Sequence, residues 1–164
     1  MADKILLGAP TKDGFEGLWV DVVESPVVSL KALCDRVGFL GGELARDTFI
    51  HRVAETRSEL HVPTERSLQS RSAQARDDKT FAMRVSPDEG GDWAYVVEDD
   101  NIAVYRVLGR EPEGGFEELS FKLCGLIPIS PFVDFSVVVC AIEAGERLAE
   151  AERVNLSDVA IGLL

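Results

Sequence analysis

Apolar positions change period along the chain, and the changes predict an alternation of strands and helices. Leu18 to Val23 (LWVDVV) puts Leu18, Val20 and Val22 on one face and Trp19, Asp21 and Val23 on the other, the two-residue period of a strand. Ser25-Pro26 then supplies a hydroxyl N-cap and a first-turn proline. Leu30, Leu33, Cys34 and Val37 form the helical stripe that follows, and Gly38 is the expected stop. Phe39 to Gly42 reads as a turn, and 43–62 as a short helix followed by a strand. Residues 63–80 are the most polar stretch, with Leu68 as the one large apolar side chain, and predict an exposed arm or loop.

Beyond residue 80 the two-residue period dominates. Phe81, Met83 and Val85 alternate with Ala82 and Arg84. Residues 93–108 read as a hairpin turning at Asp100-Asn101, which would set Val97 opposite Val104, Tyr95 opposite Arg106 and Trp93 opposite Leu108. Both faces of that hairpin carry bulk, so cover is expected on both sides. Residues 86–92 and 109–115 read as loops, and Leu119, Phe121 and Leu123 form the apolar face of one more strand. The chain is organised around Ile129–Val154, which holds its densest apolar run. Ser130-Pro131 would start a helix with Phe132, Phe135, Val139 and Ile142 on one face. The triplet Val137-Val138-Val139 would equally suit a buried strand leading into a helix.

These elements predict one α+β domain over 1–164, an antiparallel sheet of five to seven strands packed on the apolar C-terminal helix or segment. A calycin-like β-barrel is the alternative. Gly17-Leu18-Trp19 resembles the GxW opening of lipocalin and fatty-acid-binding barrels. The element order resembles the helix-grip layout of START and Bet v 1-type ligand carriers. No functional residue is carried over from either family.

Length and composition place the chain among ordinary folded domains: 164 residues, 46% hydrophobic and 28% charged. Net charge is −12, and residues 85–164 hold 16 acidic against 5 basic side chains. Such a balance speaks against nucleic acid, whose phosphates require Lys and Arg, and suits a basic protein partner. No apolar run approaches the ~20 residues of a membrane span, and the apolar patch near the N-terminus is too short for a signal peptide, so a cytoplasmic location is expected. Cys34, Cys124 and Cys140 are widely spaced among apolar neighbours, the pattern of small buried hydrophobes rather than a disulfide or zinc framework.

Candidate chemistry is sparse. Walker, dinucleotide, HExxH, GxSxG and EF-hand patterns are all missing, and GFLGGE (38–43) follows a helix rather than a strand. His51, Glu55 and Glu59 could share a helix side, but Arg52 and Arg57 mark it as a solvated charged face. Glu98-Asp99-Asp100-Asn101 suits a tight turn better than a cation loop. Cys34 lies on an apolar stripe where a nucleophile beside His51 would be inert. Arg46, Arg52, Arg57, Arg66, Arg71 and Arg76 would mainly screen the acidic half from within. No catalytic residue, cofactor or metal is therefore assigned.

The leading expectation is a non-enzymatic binding protein enclosing a hydrophobic or partly acidic small molecule between sheet and helix. Trp19, Trp93, Tyr95 and Tyr105 would be its wall and Arg52 its anchor for an acidic group. The alternative is a small acidic protein-interaction module, such as a chaperone or assembly subunit, working as a homodimer or on a basic client. An enzyme, the third reading, has no motif behind it.

Overall fold

The structure, a computed structural model, describes residues 3–41, 71–77 and 79–162, with side chains described to Val154. Among the described residues seven strands are present: β1 (Asp3–Pro10), β2 (Gly14–Val22), β3 (Arg71–Ala75), β4 (Thr80–Val85), β5 (Trp93–Val97), β6 (Asn101–Glu113) and β7 (Phe116–Pro128). They close into a barrel in the order β1-β2-β3-β4-β7-β6-β5. Helix α1 (Pro26–Leu40) and helix α2 (Phe135–Gly162) are the helices of the described residues. The open antiparallel sheet expected first is thus corrected to the barrel alternative, with the C-terminal helix packed on its wall. The strand that closes it is β1, which pairs antiparallel with β2 and parallel with β5, from Ile5 opposite Trp93 to Gly8 opposite Val96. Closure satisfies backbone groups that a sheet edge would leave open.

Alternation along the strands divides the core in two. Inward-facing Leu6, Phe15, Trp19, Met83, Val85, Tyr105, Leu119 and Phe121 fill the barrel together with small Ala73, Ala94 and Ala103. Outward-facing Ile5, Trp93, Tyr95, Val97, Ile102, Val104 and Ile127 are covered by Leu30, Leu33, Cys34 and Val37 of α1 and by Val138, Ala141 and Ile142 of α2. All five residues of β5 are buried, as the bulk on both its faces predicts.

Local chemistry explains where the elements begin and end. The Ser25 side chain accepts from the Val28 N–H and Pro26 opens the helix. The helix runs past Gly38 to Leu40 and stops at Gly41, whose φ is 83°. Gly38 is needed for another reason: a Cβ there would collide with the Ser130 carbonyl, so α1 and the β7–α2 connection touch backbone to backbone. Helix α2 starts at Phe135 rather than Pro131, because Asp134 Oδ1 accepts the Ser136 N–H at 3.0 Å. The valine triplet is helical, and the buried stripe is Val138, Ala141, Ile142 and Gly145: Ile142 is buried as expected, while Phe132 and Phe135 are exposed and Val139 is half-buried. Close approach selects it: a Cβ on Gly145 would lie 2.5 Å from the Trp93 ring, and one on Gly125 would lie 2.9 Å from Ala141.

Three further expectations change. The β5–β6 hairpin turns at Asp99-Asp100, with the Glu98 N–H bonded to the Asn101 carbonyl at 2.8 Å, so Trp93 lies opposite Arg106 and Tyr95 opposite Val104. The shift is by two residues, which preserves every face. The region 109–115 is not a loop: β6 extends to Glu113, Gly114-Gly115 make the turn, and β-bulges near Tyr105 and Gly109 bend the pair around the barrel. Within the polar stretch 63–80, Arg71–Ala75 form β3 with Ala73 buried inside the barrel. Residues 42–70, including the elements expected over 43–62, lie outside the described residues.

Candidate interaction surface

The four aromatic residues expected to wall one cavity are dispersed by the alternation of the strands. Trp19 and Tyr105 point inward, where Trp19 stacks on Phe121 at 6.2 Å and Phe15 lies 4.7 Å from Tyr105, 5.4 Å from Phe81 and 5.5 Å from Phe121. These rings fill the lumen as side chains fill other small barrels. Trp93 points outward beneath α2, with the Arg106 guanidinium 5.0 Å from its ring centroid. Arg106 also donates to the Asp92 carbonyl at 3.0 Å and lies 3.9 Å from Glu146 of α2, which fastens the helix to the wall. Tyr95 points outward beneath α1, its hydroxyl donating to the Pro26 carbonyl at 3.1 Å and lying 3.3 Å from Ser29 Oγ. Arg52, His51, Glu55 and Glu59 lie outside the described residues. The two described arginines of the basic stretch are paired within the molecule, Arg71 with Glu89 at 2.8 Å and Arg76 with Glu118 at 3.0 Å.

The cysteines behave as small hydrophobes where they are covered. Burial pushes the Cys34 thiol up to about 11 and Cys124 up to about 12, and the Cys124 thiol donates to the Val104 carbonyl at 3.2 Å. Cys140 is exposed on α2.

Among the described residues, five of the nine exposed large apolar side chains lie around one junction, where the end of α1 touches the connection between β7 and α2. Phe39 is 86% exposed and Phe132 91%, and Leu126, Phe135 and Val137 are each exposed by 40% or more. A groove of about 310 Å³ between β7 and α2, with Leu126, Val137 and Cys140 on its lining, continues the surface. Polar structure holds this junction in shape: Ser130 Oγ accepts the Phe132 N–H at 3.2 Å, and the Ile129 N–H bonds to the Asp100 carbonyl at 2.9 Å. That last bond ties the apolar junction to the acidic turn Glu98-Asp99-Asp100, so both lie at the same end of the barrel. Sequence reading placed Phe132 and Phe135 in the core. Nothing in the apolar pattern distinguishes them from Val138 and Ile142; only the fit of small residues against Trp93 does.

Two more hollows matter. One of about 360 Å³ runs beside α1, with Ile5, Val20, Val22 and Tyr95 in its floor and Glu24 and Arg36 on its rim. The other, of about 670 Å³, is the mouth of the barrel at the end that carries Glu98. No helix among the described residues is long and apolar enough to cross a membrane. No protein-family model matches the chain, and no curated protein or solved structure matches it significantly.

Proposed function

We propose that the protein is an interaction module that binds a basic protein partner through one end of the barrel. The observation that carries this reading is the exposed Phe39–Phe132–Phe135 junction beside the acidic Glu98–Asp100 turn. Exposed large apolar side chains grouped beside an acidic turn are the pattern of a contact face rather than of a solvated wall. The interior argues in the same direction, because Phe15, Phe81, Tyr105, Phe121 and Trp19 occupy the space that a lumenal ligand would need. The charge of −12 opposes pairing of two copies through their acidic ends and favours a partner of opposite sign.

Native mass spectrometry of the chain purified with its partners tests the reading. A stoichiometric protein complex that Phe39→Ser/Phe132→Ser abolishes supports it. A complex that survives both substitutions contradicts it.

A second reading, a small-molecule site, is favoured by the groove beside α1, where Tyr95 and Ser29 hydroxyls and the Arg36 guanidinium border an apolar floor. Of the aromatic set first expected to contact a ligand, Tyr95 alone lines that groove, and Trp19, Trp93 and Tyr105 lie elsewhere. In the same spectra this reading requires a monomer carrying a few hundred daltons, on the order of one drug-sized ligand.

A further inference from the structure

We propose that the mouth of the barrel is a receptor for one organic cation, the ammonium or guanidinium head of a lysine or arginine side chain on the partner. This deepens the interaction reading and rests on it for the source of the cation. The hollow is lined by Thr11, Lys12 and Asp13 of the β1–β2 turn, Gln74 of β3, and Glu98, with Phe81 and Tyr105 reaching it from inside the barrel. Its chemistry suits a cation: aromatic side chains at the floor and a carboxylate at the side.

Three features support the assignment. Phe81 and Tyr105 meet edge to face, ring centroids 5.2 Å apart, so the floor is rigid and aromatic. The Tyr105 side chain is only 6% exposed, and its hydroxyl has no protein partner among the described residues, leaving its oxygen free to accept from a ligand. Glu98 is half-buried and forms no ion pair or side-chain hydrogen bond among the described residues. A carboxylate so placed is destabilised by burial and by neighbouring Asp99, and its affinity for a proton is raised accordingly. A cation in the hollow would remove that destabilisation.

Lys12 is exposed on the rim and makes no ion pair with Glu98 or Asp13 among the described residues. It therefore competes at most weakly with an incoming cation.

The position also explains why a partner's side chain, rather than a free amine, is the expected source. The Ile129–Asp100 hydrogen bond joins this end of the barrel to the Phe132 junction, so one partner could set apolar residues on the junction and a basic one in the mouth. A combined apolar and charge-assisted contact is how interfaces gain specificity.

The test uses the full chain, isotope-labelled, titrated with n-butylammonium, with N-methylguanidinium, and with a peptide carrying one arginine flanked by leucines. Saturable NMR shifts at Glu98, Tyr105 and Phe81 are expected for all three, with the peptide binding most tightly. Glu98→Gln should weaken each by about tenfold or more, since a charge-assisted hydrogen bond is lost. Tyr105→Phe should weaken each severalfold. Lys12→Gln, which removes a like charge from the rim, should strengthen binding, and Glu150→Gln, a control on α2, should leave it unchanged. Shifts spread evenly over the acidic surface, or equal affinity in Glu98→Gln, would overturn the cation site. Peptide binding that depends on Phe132 but not on Glu98 would overturn it while leaving the interaction module standing. Peptide binding no tighter than the bare cations, with dependence on Glu98 retained, would support the cation site and assign it to free amines, against the interaction reading.

Discussion

Gly145 shows how one residue's neighbours can reverse an ordinary preference. In an exposed helix, glycine to alanine stabilises by about 1 kcal/mol. Here the new Cβ would lie 2.5 Å from two atoms of the Trp93 ring, itself held under the Arg106 guanidinium. Gly145→Ala should therefore destabilise by about 1–3 kcal/mol, the cost of overpacking. Urea unfolding should show a lower midpoint with an unchanged slope.

The buried thiols make a second prediction at this scale. Cys34 and Cys124 have folded values near 11 and 12 against an ordinary 9.0, so above pH 9 the unfolded chain releases protons that the folded chain retains. Stability contributed by burying the neutral thiols is complete below pH 9 and declines as pH rises through 11 to 12. The urea midpoint should be lower at pH 10 than at pH 7, and Cys34→Ala/Cys124→Ala should reduce that difference.

At the scale of elements, α2 depends on a narrow stripe and a single cap. Ile142 is 6% exposed against the barrel wall, and Ile142→Ala should cost about 2–5 kcal/mol. Asp134→Ala, which removes the acceptor for the Ser136 N–H, should cost about 1 kcal/mol. Both are read as shifts in the urea midpoint. The strands were legible wherever one face was large and the other small, as in Phe81–Val85 and Leu119–Leu123. The Ser25-Pro26 helix start was legible too, because a cap is a local device. β1 was not, since Ile5-Leu6-Leu7 has no polar alternation: both of its faces are covered, one by the lumen and one by the α1 side. Barrel closure was beyond local pattern as well, because it rests on a parallel pairing between β1 and β5, elements more than eighty residues apart. Of the candidate site, the acidic turn was legible and the apolar junction was not. Phe132 and Phe135 look like core until the helix is docked, and docking is decided by the shapes of Gly145 and Ala141.

At the scale of the molecule, the barrel is filled by its own aromatic side chains, and its exposed apolar side chains lie on the outside. Two opposing surface characters meet at one end: the Phe39–Phe132–Phe135 junction and the Glu98–Asp100 turn, joined through the Ile129–Asp100 hydrogen bond. An interface with this composition should associate quickly at low salt and more slowly as salt screens the acidic rim, over a Debye length of about 8 Å at physiological ionic strength. Its persistence once formed should depend on the phenylalanines. Rapid-mixing association with the purified partner, followed across ionic strength, should show the on-rate falling with salt and the off-rate rising in Phe132→Ser.

Native mass spectrometry of the chain as purified, before and after Phe39→Ser/Phe132→Ser, separates a protein-binding module from a small-molecule carrier. A module of this kind should appear as a stoichiometric complex with a basic protein, which the double substitution reduces to the bare 17.9 kDa chain. A monomer that carries a small molecule, unaffected by the substitution and lost on denaturation, would contradict it.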